Sequence, residues 1–142
     1  MVKALAQIIP KIKVPKTKRS QVPVSLRTIR DEMYYAKAKT RGGTKPLLEE
    51  DRLMEWKYWA LIENEFPYSA AFKTHHMLIP KRIVDDKNLS IDERIEMDVV
   101  LNELSETYDC VLVNFRKKQS IRDHFHMHLL CYKDKRKELK IK

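Results

Sequence analysis

Apolar residues recur along this chain at two spacings, and the two spacings predict different elements. Short apolar segments bounded by turn-forming residues are typical of strands. We predict strands at residues 55–62, 75–79, 110–114 and 124–132. Apolar residues spaced three and four apart, from residue 91 to about 107, predict one long helix. Strands crowded around one helix indicate an α+β fold, with an antiparallel sheet of about five strands and one main packed helix.

The predicted helix has a recognisable start. Ser90 and Glu93 have the spacing of a capping box, in which a hydroxyl and a carboxylate satisfy the first free amides. The residues predicted by their spacing to face the sheet are Ile91, Ile95, Val99, Val100, Leu104 and Tyr108. A shorter helix is predicted at residues 25–39, with Ser25 as its cap and an apolar face made of Leu26, Ile29, Met33, Tyr34 and Ala36.

Charge is distributed unevenly and divides the chain into two parts. The 142 residues carry a net charge of +9, but residues 1–46 hold 12 Lys/Arg and only 2 acidic residues. Both glycines lie at residues 41–46, and glycine marks breaks in regular structure. We therefore expect a basic N-terminal extension, partly helical or disordered, at 1–46 and a domain at 47–142. A basic extension attracts polyanions without reading sequence, so it either contacts nucleic acid or serves as a solubilising extension.

Composition argues against several classes of protein. No apolar run approaches the roughly 20 residues that span a bilayer, so we expect no membrane partner. The first residues lack an apolar stretch that ends at a cleavage site, which argues against a secretory signal. Cys110 and Cys131 lie among Val and Leu, and we expect them to be free thiols in a reducing, cytoplasmic setting. No CxxC pair is present, so a structural zinc ribbon is not expected.

Three of the five histidines fall within five residues, at His124, His126 and His128. Because side chains alternate faces along a strand, these imidazoles share one face, and the apolar residues between them line the other. Imidazoles placed together can donate hydrogen bonds, exchange protons near neutral pH or attack an electrophile. The segment is therefore the strongest candidate for chemistry in the chain.

A metal site is the main competing interpretation of the histidines. Catalytic zinc favours three protein ligands, but three consecutive positions on one face of a strand rarely surround one ion. His75 or Asp123 would have to complete such a ligand set. An exposed polar face on an edge strand is the third interpretation, although Lys, Thr or Glu would serve that purpose equally well.

The segment HFHMHLL at residues 124–130 resembles the signature of the histidine-triad (HIT) superfamily of nucleotide hydrolases and transferases. Three weaker similarities lie upstream. Residues 74–81 look like the family's upstream strand, in which a histidine precedes an apolar run. Residues 64–68 resemble the turn before that strand, and residues 111–114 resemble a strand that ends in an asparagine near the phosphate. The matches together cover about residues 55–132.

This resemblance implies a covalent mechanism. In the family the middle histidine attacks the α-phosphorus of a nucleotide, and water or another acceptor then releases the nucleoside monophosphate. By position, His126 is the implied nucleophile and His128 contacts the phosphate and assists the leaving group. His124 orients and polarises the site. The implied substrate is a nucleotide phosphoramidate or a dinucleoside polyphosphate, with no cofactor and no metal.

The resemblance also implies substrate-binding residues. His75 and Asn114 are expected near the phosphate and Asn64 near the ribose. Gln119 and Ser120 are similar to a Gln-Ser pair that precedes the triad, although they lie one residue further from His124 than the family pattern has them. Family members commonly form homodimers, and we expect the same here.

The loop at residues 115–123 departs from the family pattern. Many members have a glycine-rich turn there, whose backbone amides face the phosphate, but this loop contains no glycine. Its four cations either replace those amides or form a solvated loop. The alternative function is therefore a non-catalytic module that binds a nucleotide or RNA with the triad pocket and the basic arm.

Overall fold

A single antiparallel sheet of five strands organises the described part of the protein. The computed structural model describes residues 25–42, 45–115, 121 and 123–133. In chain order the elements are α1 (Ile29–Thr40), β1 (Arg52–Glu55), β2 (Trp59–Glu63), β3 (Phe72–Pro80), α2 (Ile91–Leu104), β4 (Cys110–Leu112) and β5 (Met127–Tyr132). The strand order is β1-β2-β3-β5-β4. The predicted α+β class is confirmed.

The two faces of the sheet bury different residues, because the side chains of each strand alternate. One face packs against α2 and contains Trp59, Leu61, Leu78, Met127 and Leu129. The opposite face carries a smaller cluster made of Leu47, Ala60, Ile62, Met77 and Ile79. Met77 pairs with His128 in the register between β3 and β5, so the histidines belong to this second face. Phe125, Met127 and Leu129 are buried on the helix side, which confirms the alternation that the sequence predicted.

Helix α2 begins as predicted but is rotated differently. Ser90 and Glu93 form the capping box, and Val100 and Leu104 are buried in the core. The prediction was wrong for three residues, since Ile91, Ile95 and Val99 are 76%, 59% and 62% exposed. The helix also ends at Leu104 rather than near residue 107.

Contacts of Glu93 set this rotation. Its carboxylate accepts a hydrogen bond from Nη2 of Arg82 at 2.7 Å, and its backbone carbonyl accepts one from Nε1 of Trp59 at 2.8 Å. These bonds turn the Glu93 side of the helix toward the sheet. Because both sides of α2 contain apolar residues, spacing alone did not reveal which side is buried.

Strand boundaries differ from the predicted ones at four places, one of which is the end of β4 at Leu112 rather than at residue 114. The strand predicted at 55–62 is a hairpin, in which the amide of Trp56 donates to the carbonyl of Trp59 at 2.8 Å between β1 and β2. Aromatic residues have high strand propensity. The aromatic residues Trp56, Tyr58 and Trp59 therefore led to the prediction of one continuous strand where the chain turns. Strand β3 is longer than the predicted 75–79, and β5 begins at Met127 rather than at residue 124.

Helix α1 also differs from its prediction. Its N-cap is Thr28 rather than Ser25, and none of its residues is buried. The predicted apolar face is exposed, with Ile29, Met33 and Tyr34 all open to solvent. The residues just before α1 also contact the rest of the chain. The amide of Ala70, for example, donates to the carbonyl of Leu26 at 2.9 Å.

Both cysteines are free, as the sequence predicted. Among the described residues, neither helix has the length and apolarity required for crossing a membrane.

Candidate active site

The histidine segment lies at the start of β5, against the face of the sheet opposite α2. His124, His126 and His128 are only 4–5% exposed. His126 and His128 line a pocket of about 310 Å³, whose other walls include residues from α1, from residues 45–50 and from the turn between β2 and β3. A volume of this size lies at the lower end of small-molecule sites.

The hydrogen bond of His126 determines which ring nitrogen is available for chemistry. Its Nδ1 lies 3.0 Å from the backbone carbonyl oxygen of His124. A carbonyl oxygen only accepts, so Nδ1 carries the proton and Nε2 keeps a lone pair. Burial lowers the pKa of His126, which keeps the ring neutral at physiological pH. A buried neutral imidazole with a free Nε2 is a competent nucleophile.

His75 and His128 are joined in a chain of hydrogen bonds that fixes their protons. The amide of Tyr68 donates to Nδ1 of His75 at 2.9 Å, so the proton of His75 is on Nε2. That nitrogen lies 2.7 Å from Nδ1 of His128 and donates to it. The proton of His128 is therefore on Nε2. This atom is buried and has no hydrogen-bond partner among the described residues.

A buried N–H group without a partner costs free energy, and in a pocket it is a binding group for an acceptor. Phosphoryl oxygens are strong acceptors, and donors aimed at developing negative charge are the main source of electrostatic catalysis. His126 and His128 are close, with ring centroids 5.2 Å apart. The pocket therefore combines an available lone pair with an available N–H donor.

Asn64 is held beside the histidines by its own turn. Its Oδ1 accepts from the amide of Phe66 at 2.8 Å, which places Nδ2 beside the ring of His75, where it donates to Nδ1 at 3.3 Å. Asn64 and the half-buried Asn114 both line the pocket. The structure thus brings these two predicted residues to the pocket of His126 and His128.

The remaining predicted residues have different positions. His75 stands behind His128 rather than in the pocket wall. His124 is not part of the wall either, since its Nε2 donates to the carbonyl of Pro80 at 2.8 Å. It contacts His126 through its backbone carbonyl. Gln119 and Ser120 lie outside the described residues.

Comparisons with known proteins locate the fold. No family model matches the chain, and no curated protein matches it. A hypothetical protein from Leishmania major aligns with a TM-score of 0.50 and 20% identity, over 78% of this chain and 81% of its own. A histidine triad protein from Clostridium difficile aligns with a TM-score of 0.46 and 19% identity, over 72% of this chain and 93% of its own. A HIT family hydrolase from Legionella pneumophila Philadelphia 1 aligns with a TM-score of 0.45 and 20% identity, over 66% of this chain and 88% of its own.

The chain shares its fold with the protein from Leishmania major. Because the identities are low, the likeness concerns the fold alone, and the chemistry has to be argued from the side chains.

Two residues of the site were missed by the sequence interpretation. The ring of Tyr68 packs on His75 and His128, with centroid distances of 4.3 Å and 5.1 Å. The guanidinium of Arg27 lies 5.1 Å from the centre of the Tyr68 ring. Tyr68 is part of the 64–68 turn, so the motif found there could have predicted its place in the site. Nothing in the sequence distinguishes Arg27 from the other Lys and Arg residues among the 12 of the extension.

The metal interpretation required His75 or Asp123 to join the triad. Among the described residues, no group of three His, Cys, Asp or Glu side chains is arranged to hold a metal ion. Nδ1 of His126 and Nε2 of His124 are each engaged with a carbonyl oxygen. His75 uses Nε2 on His128. The Nδ1 lone pair of His128 is therefore occupied by His75.

We expect His75 and His128 to stay neutral in weak acid and the protein to lose stability there. Burial, reinforced by neighbouring positive charge, lowers the pKa of His75 and of His128 to about 3. An unfolded histidine titrates near 6.5. Between these values the unfolded chain binds more protons, so the free energy of unfolding falls as the pH falls from about 6.5 to 3.

Denaturant unfolding at a series of pH values measures this loss, and NMR titration of the imidazole C–H signals measures the pKa values. The matched control is the double variant His75→Gln/His128→Asn, in which the pH dependence is expected to be smaller. Midpoints near 6.5 for His75 and His128 in the folded protein would contradict the account.

Proposed function

We propose that this protein is a nucleotide phosphohydrolase or nucleotidyl transferase that works through a nucleotidyl intermediate on His126. One observation carries the proposal: the carbonyl of His124 holds the proton of His126 on Nδ1, which leaves the Nε2 lone pair available. The neighbouring ring of His128, 5.2 Å away between centroids, has an N–H with no hydrogen-bond partner among the described residues. A nucleophile next to a donor for developing negative charge suits attack on phosphorus.

In the first step, Nε2 of His126 attacks the α-phosphorus. A phosphorus–nitrogen bond forms, the bond to the leaving group breaks, and the leaving group takes the electron pair. The His126 ring becomes cationic, and its Nδ1–H strengthens its bond to the His124 carbonyl. In the second step water attacks the same phosphorus and loses a proton to solvent. The phosphorus–nitrogen bond breaks, its electron pair returns to Nε2, and the monophosphate leaves. In a transferase, another acceptor replaces the water.

His128 donates a hydrogen bond to a phosphoryl oxygen in both steps. The orientation of His128 comes from His75, which donates to its Nδ1 at 2.7 Å. We propose that Asn114 binds the phosphate and that Asn64 binds the ribose, since both line the pocket. Ser120 and Gln119 remain proposed phosphate-binding residues, and the polarising role of His124 remains a proposal.

A panel of nucleotides tests this function. We expect the parent protein to release nucleoside monophosphate from a nucleoside phosphoramidate, a dinucleoside polyphosphate or capped RNA. The binding-module alternative gives a different result, namely nucleotide affinity without release of monophosphate. It also expects polynucleotide affinity that falls steeply with salt and declines when residues 1–24 are deleted. Neither binding nor turnover across the whole panel would contradict both functions.

The remaining expectations about the whole protein stay proposals. We propose a basic extension at 1–46 that precedes the domain at 47–142, and a cytoplasmic setting consistent with the free cysteines. We also propose a homodimer. Its support is the apolar stripe of Ile91, Ile95 and Val99 exposed on α2, which pairing with a second copy would bury.

A further inference from the structure

Three consecutive residues just before α1 each form a hydrogen bond to the turn between β2 and β3. The bonds join the Leu26 carbonyl to the Ala70 amide at 2.9 Å, Nε of Arg27 to the Phe66 carbonyl at 3.0 Å, and the Thr28 amide to Oγ of Ser69 at 3.2 Å. Tyr68 lies in the middle of the bonded part of the turn. Its backbone is therefore restrained from both sides by the segment before α1.

The backbone amide of Tyr68 governs the protons of two histidines. It donates to Nδ1 of His75 at 2.9 Å, and Nδ2 of Asn64 is a longer donor to the same atom at 3.3 Å. With Nδ1 occupied, His75 carries its proton on Nε2 and donates it to Nδ1 of His128 at 2.7 Å. The proton of His128 is then on Nε2, on the side of the pocket.

Withdrawal of the Tyr68 amide would make the opposite arrangement available. His75 would then carry its proton on Nδ1 and accept at Nε2 from the Nδ1–H of His128. Nε2 of His128 would present a lone pair to the pocket, and a lone pair repels the oxygens of a phosphoryl group. The position of one backbone amide thus decides whether His128 is a donor or an acceptor in the pocket.

Arg27 is placed to hold the turn through two kinds of contact. Besides its bond to Phe66, its guanidinium lies 5.1 Å from the centre of the Tyr68 ring and 4.3 Å from that of Tyr35. A cation over an aromatic face is attracted to it. Nη1 of Arg27 lies 3.4 Å from Oε2 of Glu32, so the carboxylate balances its charge. Its placement, rather than its charge, is therefore what it contributes.

The ring of Tyr68 transmits this restraint to the histidines. Its centroid lies 4.3 Å from that of His75 and 5.1 Å from that of His128. The amide and the ring of one residue thus act on the same pair of imidazoles, and a shift of the turn would move both contacts. Groups that react have to be held in place by neighbours that are themselves fixed.

We propose that Arg27 is a positioning residue for His128. By holding residues 66–70, it keeps the amide of Tyr68 on His75. The Nε2–H of His128 then stays directed at the pocket. The effect on turnover rests on the proposed function, whereas the proton arrangement does not. Although Arg27 comes from the basic part of the chain, this role makes it part of the site.

Arg27→Met tests the proposal, because it keeps an unbranched apolar stem and removes the guanidinium. Nitrogen NMR of the imidazole rings reports which nitrogen of His75 and of His128 carries the proton. We expect only the Nε2–H forms in the parent and a measurable population of Nδ1–H on His128 in the variant. We also expect kcat for monophosphate release to fall about tenfold with KM nearly unchanged, since complete loss of such a donor costs about 10²–10³-fold.

Two variants serve as controls, and a third tests the turn independently. Arg30→Met removes the same charge from an exposed neighbour outside the pocket wall, and we expect the parent's proton arrangement and kcat. Arg27→Lys keeps a cation near the rings and is expected to recover part of the lost activity. Ser69→Ala removes a different bond to the turn and is expected to shift the protons in the same direction, even if Arg27→Met does not fold.

The outcomes separate this role from the proposed function. Parent-like imidazole signals in both Arg27→Met and Ser69→Ala would overturn the positioning role. A raised KM with unchanged kcat in Arg27→Met would also overturn it, because Arg27 lines the pocket and would then act by binding substrate. A parent that releases no monophosphate from any nucleotide would contradict the proposed function, and the imidazole signals alone would still decide the role of Arg27.

Discussion

Replacing His126 with alanine is expected to lower monophosphate release by at least about 10³-fold, since the loss of a nucleophile removes the covalent route entirely. The fold should survive, because the side chain borders an existing pocket and its hydrogen bond to the carbonyl of His124 joins residues only two positions apart. Steady-state release of monophosphate, together with thermal unfolding, measures both quantities.

Two further variants make this result specific to His126. In His126→Asn the amide can still bond to the His124 carbonyl but places no lone pair at the position of Nε2, so it should be as inactive as the alanine variant. His76→Ala is the matched control, because His76 is half-buried and contacts Tyr108 away from the pocket. Parent-like turnover in either His126 variant would rule out the covalent mechanism.

The second large effect is expected at His128, through its Nε2–H. In His128→Asn the side-chain oxygen can still accept from His75, but the donor that faces the pocket is gone. Removal of one donor to developing negative charge typically costs about 10²–10³-fold in kcat. Stability should change little, because Nε2 of His128 has no hydrogen-bond partner among the described residues.

His128→Gln serves as the rescue variant for this prediction. Its amide N–H reaches about as far as Nε2 of histidine, and we expect it to recover roughly tenfold of the activity lost in His128→Asn. The readout is kcat for release of monophosphate. Equal activity in His128→Asn and the parent would show that the Nε2–H contributes nothing to the reaction.

Much of the site was predictable because its chemistry is concentrated in one short segment. Residues 124–130 alternate histidine with apolar residues, and this alternation predicted both the buried helix-facing side and the shared face of the histidines. The turn at 64–68 and the histidine at 75 pointed to the same site. The capping box at Ser90 and Glu93 was predictable for a similar reason, since both partners are close in sequence.

The errors arose where distant contacts decide the structure. The rotation of α2 depends on Glu93, whose partners Trp59 and Arg82 lie 34 and 11 residues away along the chain. The hairpin at Trp56 was concealed by residues that favour strands. Arg27 belongs to the pocket only because it reaches Phe66, 39 residues further along the chain.

The proposed function depends on a covalent bond between the substrate phosphorus and Nε2 of His126. The most direct measurement is to stop the reaction during turnover under denaturing, alkaline conditions, which preserve the acid-labile phosphorus–nitrogen bond, and to map the modified peptide by mass spectrometry. The account predicts one nucleoside monophosphate attached to His126 in the parent and none in His126→Ala. Turnover with no modified histidine, or with the nucleotide on another residue, would contradict it.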